Sequence, residues 1–171
     1  MKNSFTIIGA GAWGSALAIA LSNKFDQIFL IAKNKSEIDA IGNQHWALST
    51  TFNDNILLTK NFNVIDESSA ILIATPSYAF SNVLDSILPH IGMKPVAWAT
   101  KGFNPHNGKL LHETFSQKFP NHHPCIISGP TFAAEVANSA TKTRLMPFEF
   151  STTQTYMLEF SNLKIRVFKD G

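Results

Sequence analysis

The stretch that decides the fold lies near the start of the chain and reads Phe5-Thr6-Ile7-Ile8-Gly9-Ala10-Gly11-Ala12-Trp13-Gly14. Its first four residues form an apolar, β-rich run that predicts a buried strand, and residues 12–21 supply Ala and Leu at helical spacing. Between strand and helix, the glycines follow the pattern G-x-G-x-x-G. A strand, a tight turn and a helix in this order are typical of the first half of a βαβ unit.

Each glycine of this pattern has its own expected role. Gly9 permits the tight turn, and Gly14 lets the helix pack closely on the strand. Gly11 lets the backbone approach the pyrophosphate of a dinucleotide, which would sit at the helix N-terminus where unpaired N–H groups favour an anion. The alternative is a glycine-rich turn that binds nothing, and the flanking strand and helix make it the weaker interpretation.

The remainder of the chain repeats the alternation of strand and helix. The continuous apolar run at residues 27–32 predicts a second parallel strand, covered on both faces. Further strands are expected at residues 70–74, 96–99 and 125–127, and helices at 79–91, 108–119 and 132–138. The sequence therefore predicts an α/β fold with a doubly wound, mostly parallel sheet of the Rossmann type.

Two regions show weaker patterns. Residues 43–63 are polar and are expected to be largely loop or edge structure. After residue 143, residues 144–150 and 163–168 predict extra edge strands on one side of the sheet, flanking a helix at 152–160. Composition does not change sharply anywhere, so residues 1–171 are interpreted as one dinucleotide-binding domain.

Composition excludes several other classes of protein. The 171 residues are 44% hydrophobic and 15% charged, which excludes a highly charged disordered chain. The net charge of +2 has no basic stripe for nucleic acid, and charged residues interrupt every apolar stretch before it could insert in a membrane. One cysteine, Cys125, forms no internal disulfide, which fits the cytoplasm. No metal site is expected, and the histidines are interpreted as surface residues: His45, His90, His106, His112, His122 and His123.

The end of the second strand predicts the choice of cofactor. An NAD site usually carries Asp or Glu there, about 20 residues past the glycines, to accept hydrogen bonds from the ribose. Residues 31–35 contain no acid, and Lys33 and Lys35 can pair with a 2′-phosphate instead. NADP is therefore the expected cofactor and NAD the alternative, unless the lysines are merely solvated loop residues.

Polar loops follow the later strands, at the edge where open α/β sheets bind ligands. Lys101 directly follows a predicted strand and suits an anionic substrate or a polarised oxygen, although a surface lysine is the alternative. Residues 128–131 open a helix and are either a second anion site or an N-cap. Trp13 contacts either the ligand or the core.

Four segments carry a resemblance to a known family: residues 8–18, Ala74-Thr75-Pro76-Ser77, Ala99-Thr100-Lys101-Gly102, and residues 128–137. Together they resemble the bacterial-type NAD(P)-dependent glycerol-3-phosphate dehydrogenases. The resemblance implies reversible reduction of dihydroxyacetone phosphate, a small phosphate ester, to sn-glycerol 3-phosphate for phospholipid synthesis. It implies Lys101 as the catalytic residue on the substrate side, and the following ligand contacts: cofactor-binding Gly9, Gly11, Ala12, Trp13, Gly14, Lys33, Lys101 and Ala133; substrate-binding Lys101, Gly129 and Thr131.

The resemblance also carries expectations about the whole enzyme. The family has a C-terminal helical substrate domain with the general acid/base lysine, and residues 1–171 end before it. We therefore expect this chain to supply the cofactor domain, to be nearly inactive alone, and to self-associate through Trp13, Tyr78 and Phe132. Two alternatives are a stand-alone NAD(P)-binding or regulatory module without catalysis, and a related two-domain 2-hydroxyacid-type dehydrogenase.

Overall fold

The computed structural model describes residues 3–128, 132–138, 144–151, 154–161 and 164–169. Strands and helices alternate over the first four-fifths of the chain, as the sequence predicts. The strands are β1 Ser4–Ile8, β2 Gln27–Ile31, β3 Ile56–Thr59, β4 Ala70–Ile73, β5 Val96–Trp98 and β6 Cys125–Ile126. The helices are α1 Ala12–Ser22, α2 Lys35–Ile41, α3 Ser77–Ile87, α4 Leu111–Lys118 and α5 Ala133–Asn138, with a 3-10 helix at Phe62–Glu67.

These six strands form one parallel sheet in the order β3-β2-β1-β4-β5-β6. The chain winds outward from β1 in one direction and then, from β4, in the other, which confirms the doubly wound fold. Ile8 lies opposite Ile31 of β2 and Ile73 of β4, so the three central strands end at the same level. The reversal of strand order between β1 and β4 opens a crevice at their carboxyl ends, where such sheets bind ligands.

The core lies on both faces of the sheet, because successive residues of a strand point to opposite sides. Ile7 and Leu72 pack in the cluster on the α1 side. Ile8 and Ile73 pack in the cluster under α3 and α4. In that second cluster the ring of Trp98 lies 5.2 Å from the ring of Phe80 and 5.3 Å from that of Phe115, measured between centroids.

The weaker regions differ from the sequence prediction in instructive ways. Residues 43–63 contain β3, which is the edge strand of the sheet, as expected. The predicted helix at 152–160 is wrong, because β8 at Gln154–Ser161 is a strand. It pairs antiparallel with β7 Arg144–Ser151 and β9 Lys164–Lys169 in a separate three-stranded sheet, so these strands are not edge strands of the parallel sheet. The β-branched and aromatic residues of β8 favour a strand over a helix.

Within the described residues, no helix combines the length and the apolar character needed to cross a membrane.

Candidate functional site

The turn between β1 and α1 is built around two glycines that the packing requires. Gly9 has φ +109°, and its N–H donates to the carbonyl oxygen of Ile31 at 2.8 Å. A Cβ on Gly9 would lie 2.8 Å from the carbonyl oxygen of Ala74, and one on Gly14 would lie 1.8 Å from the carbonyl oxygen of Gly9. Any larger residue at either position would therefore press its Cβ against a backbone carbonyl oxygen, and the backbone would have to shift.

Gly11 is different, because nothing in the protein requires a glycine there. Its φ of −66° and ψ of 178° suit any residue, and a Cβ would meet no atom within 4 Å in the part of the chain that the structure describes. Gly11 is the N-cap of α1, and no side chain caps this helix. The exposed Gly11 thus lies at the end of α1 where the first-turn N–H groups have no partner within the helix. This arrangement fits a phosphate group.

Two further loops meet this turn at the carboxyl edge of the sheet. Ala74 and Thr75, directly after β4, touch Gly9. A Cβ on Gly102, in the loop after β5, would lie 3.7 Å from the Oγ of Ser77, so the loops after β4 and β5 are also in contact. The structure therefore places the exposed Lys101 next to the loop that contacts the glycine turn.

Two threonines in these loops have buried hydroxyl groups without a hydrogen-bond partner among the described residues. They are Thr75 and Thr100, which follow β4 and β5 at the same edge of the sheet. Leaving a buried hydroxyl unpaired costs about 1–3 kcal/mol, so such groups in a folded protein need an explanation. Sequence analysis quoted both residues only within the segments that carry the family resemblance and gave neither a role; the available signal was a polar residue just beyond a buried parallel strand.

The carboxyl end of β2 carries both the lysine that sequence analysis selected and an acid that it missed. Lys33 is exposed, and its backbone N–H donates to the Oε2 of Glu37 at 2.5 Å. Glu37 belongs to α2, whose N-cap Asn34 accepts from the Glu37 N–H at 2.9 Å. Residues 31–35 contain no acid, yet a carboxylate reaches this point from the helix. The missed signal is the spacing Asn-x-x-Glu, which resembles a capping box.

The remaining predicted site residues lie around α1. Ala12 and Trp13 are half-buried in its first turn, and α5 packs on this helix. Ala133 and Trp13 both pack against the same apolar cluster, which favours the packing role of Trp13 that the sequence left open. Gly129 and Thr131 lie outside the described residues.

One histidine departs from the prediction that all six lie on the surface. His45, in the loop after α2, is 5% exposed, and its Nδ1 accepts from the N–H of Ala47 at 3.1 Å. Burial lowers the pKa of His45 from its usual 6.5, and the nearby Glu37 carboxylate partly opposes this effect. The imidazole is therefore neutral at physiological pH. The other five histidines are half-buried or exposed.

Comparison with known proteins settles the family. The sequence profile described as NAD-dependent glycerol-3-phosphate dehydrogenase N-terminus matches residues 4–146. The chain belongs to this family. The match favours the glycerol-3-phosphate dehydrogenases that the sequence resembles over the 2-hydroxyacid-type alternative.

Individual relatives of this family cover the same region. The chain is 45% identical over 138 residues to a glycerol-3-phosphate dehydrogenase, NAD(P)+, of Vesicomyosocius okutanii, covering 80% of this chain and 42% of the relative. It is 47% identical over 140 residues to the protein of that name from Ruthia magnifica, covering 81% and 42%. The crystal structure of glycerol-3-phosphate dehydrogenase from Coxiella burnetii superposes with a TM-score of 0.72 at 31% identity, covering 82% of this chain and 44% of that one. The chain thus spans less than half the length of these relatives.

Proposed function

We propose that this chain binds NADP or NAD at the carboxyl edge of its parallel sheet. It would thereby supply the cofactor domain of an enzyme that interconverts dihydroxyacetone phosphate and sn-glycerol 3-phosphate. The observation that carries the proposal is Gly11, a glycine with ordinary backbone angles and open space at its Cβ position. Since packing among the described residues does not explain this glycine, we attribute it to a close approach of the protein backbone to a ligand.

We assign each site residue a place along the proposed dinucleotide. The pyrophosphate would lie over Gly11 and accept from the first-turn N–H groups of Ala12 and Trp13. Lys33 would face the adenosine ribose or its 2′-phosphate. The nicotinamide end would lie at the loops after β4 and β5, where the unpaired hydroxyls of Thr75 and Thr100 can donate to it. We retain Ala133 as a cofactor contact because its helix packs on α1.

The substrate would enter beside Lys101. When bound, a reduced nicotinamide would supply the hydride for the carbonyl carbon of the ketone, and the acid/base lysine of the family's C-terminal domain would supply the proton for its oxygen. The Lys101 ammonium would attract the phosphate dianion or polarise the carbonyl oxygen as negative charge develops on it. By family membership Gly129 and Thr131 would complete this pocket. We further propose a cytoplasmic location, consistent with one unpaired cysteine, and self-association through apolar side chains at the carboxyl edge.

The binding proposal is tested by titrating the folded chain with NADPH and NADH and following nucleotide fluorescence. We expect a saturable signal, and an affinity at least tenfold weaker in Gly11→Val, because the new side chain would occupy the pyrophosphate position. The unfolding midpoint of Gly11→Val serves as the control and should stay near that of the wild type. Lack of saturation by either nucleotide at millimolar concentration would refute the proposal.

The substrate proposal has a separate test. Dihydroxyacetone phosphate should perturb the fluorescence of bound NADPH, and Lys101→Met should remove this perturbation even when NADPH saturates the variant, a condition that is needed because Lys101 is also an expected cofactor contact. Uncharged analogues of the substrate, such as dihydroxyacetone itself, should change the fluorescence little, because the Lys101 ammonium attracts the phosphate group. An equal response to dihydroxyacetone phosphate in the wild type and in Lys101→Met would contradict the role given to Lys101.

A further inference from the structure

The turn from β2 into α2 holds one carboxylate in a fixed position. The Asn34 Oδ1 accepts from the backbone N–H of Glu37 at 2.9 Å and from the hydroxyl of Ser36 at 2.7 Å. In return, the Glu37 Oε2 accepts from the backbone N–H of Lys33. These reciprocal bonds fold the glutamate side chain back over the turn, so its charge stands at the carboxyl end of β2.

The charges around this turn are balanced, although the sequence there is basic. Lys35 pairs with Asp39 at 2.9 Å, one helical turn along α2. Lys33 makes no ion pair within the part of the chain that the structure describes. The end of β2 therefore carries one ammonium without an ion-pair partner in that part of the chain, from Lys33, and one carboxylate, from Glu37, where the sequence alone predicts two lysines and no acid.

The carboxylate of Glu37 also has capacity to spare. An ionised carboxylate has about four acceptor positions, and the Lys33 N–H uses one of them. The Oε1 atom accepts no hydrogen bond from the described residues, so it can accept from a hydroxyl. Glutamate in this state attracts a ribose hydroxyl and repels a phosphate dianion, while Lys33 does the opposite.

We propose that Glu37 determines cofactor specificity: it accepts from the adenosine ribose hydroxyls of NADH and opposes the 2′-phosphate of NADPH, which Lys33 attracts. This inference rests on the proposed function. The acid that usually ends β2 in NAD-preferring sheets is thereby supplied from α2. With both residues present, the chain discriminates weakly between the two nucleotides, and removal of either partner should make it selective.

The test is the ratio of NADH to NADPH dissociation constants, measured by fluorescence titration at low salt. Glu37→Gln keeps an acceptor for the Lys33 N–H and removes the charge, so the ratio should rise about three- to tenfold in favour of NADPH. In Lys33→Ala the Glu37 carboxylate remains without the opposing ammonium and repels the 2′-phosphate, so the ratio should fall below one. The matched control is Asp54→Asn, which makes the same change in net charge in the exposed loop before β3, at the amino edge of the sheet, and should alter the ratio less than twofold.

Each outcome of this experiment decides the inference. An unchanged ratio in Glu37→Gln overturns it, and so does an equal rise in Asp54→Asn, which would reveal a general charge effect. If Glu37→Gln fails to fold, Lys33→Ala still decides, because a ratio at or above one would show that Glu37 does not oppose the phosphate. If the wild type binds neither nucleotide, the proposed function fails together with this inference. If it binds both and the ratio does not respond, only this inference fails.

Discussion

The three glycines of the turn share one motif but answer to different physical demands. A Cβ on Gly14 would lie 1.8 Å from the Gly9 carbonyl oxygen, so the backbone must move to admit it. A Cβ on Gly11 would meet no atom of the described residues within 4 Å. The fold therefore requires Gly14, whereas Gly11 is the glycine for which we propose a ligand role.

Stability measurements should separate these two roles. We expect Gly14→Ala to lower the free energy of unfolding by about 3 kcal/mol, since overpacked sites typically cost about 1–3 kcal/mol and this contact is with rigid backbone. Gly11→Ala should cost less than about 1 kcal/mol, which is the scale of a poor N-cap residue. Urea unfolding followed by circular dichroism measures both. Equal losses in the two variants would contradict the assignment.

The unpaired threonine hydroxyl after β5 makes a second residue-scale prediction. Thr100→Val removes a buried hydroxyl that has no hydrogen-bond partner among the described residues, so the free energy of unfolding should rise by about 1 kcal/mol. Nucleotide or substrate affinity should fall in the same variant, because the hydroxyl is expected to donate to a ligand. Thr114→Val is the matched control: Thr114 is equally buried, but its Oγ1 accepts from Asn104 at 3.2 Å, so this variant should be less stable than the wild type.

A hydroxyl that serves a ligand rather than the fold should give a variant with a higher free energy of unfolding and a lower ligand affinity. If Thr100→Val loses stability as Thr114→Val does, Thr100 has a structural partner and its role at the site is wrong.

At the scale of elements, the central part of the sheet was predictable because its strands are continuous apolar runs between turns. β1, β2 and β4 lie within one residue of their predicted ends, and α1 extends one residue further than predicted. α2 was not predicted, because its seven residues are mostly polar and its start depends on the bonds between Asn34 and Glu37. The candidate site followed the same rule. Sequence analysis selected residues next to the ends of strands, and it missed Glu37, which belongs to a helix.

The loop after α2 gives a prediction for pH. Folding lowers the pKa of His45 below its unfolded value of about 6.5, so the unfolded chain binds the proton more readily. This group therefore has no effect on stability above about pH 7, and it destabilises the fold as pH falls through 6.5 towards the folded pKa. The fall in unfolding free energy from pH 7.5 to 5.5 should be smaller in His45→Asn, where the amide oxygen can still accept from the Ala47 N–H. An identical fall in both proteins would show that His45 is not responsible.

At the scale of the whole molecule, exposed apolar side chains gather at the carboxyl edge. Tyr78, in the first turn of α3, is 65% exposed, and Phe103, in the loop after β5, is 60% exposed; Leu110 and Phe132 are exposed at the same edge. We call these four residues the carboxyl-edge patch. Of the three residues that sequence analysis chose for such a surface, Tyr78 and Phe132 are exposed, and Trp13 is half-buried.

If this patch drives self-association, the double variant Tyr78→Ser/Phe103→Ser should shift the sedimentation profile towards the monomer. Exposed apolar patches larger than a few hundred Å² commonly mark association sites. Met93→Ser is the control, because Met93 is 78% exposed near the opposite edge, in the loop before β5. A wild type that stays monomeric at high concentration, or an equal shift in the control, would contradict the proposal.

The positions of the three tryptophans give the chain its own optical labels. Trp98 is buried among the rings of Phe80 and Phe115, so its emission should lie towards the blue and should report global unfolding. Trp46 is 85% exposed beside His45, so it should emit towards the red and be quenched by iodide. Trp13 stands in the first turn of α1, beside the proposed cofactor site, so its emission should respond when a nucleotide binds there. Three tryptophans in three different surroundings thus give the core, the α2 loop and the glycine turn a native fluorophore each.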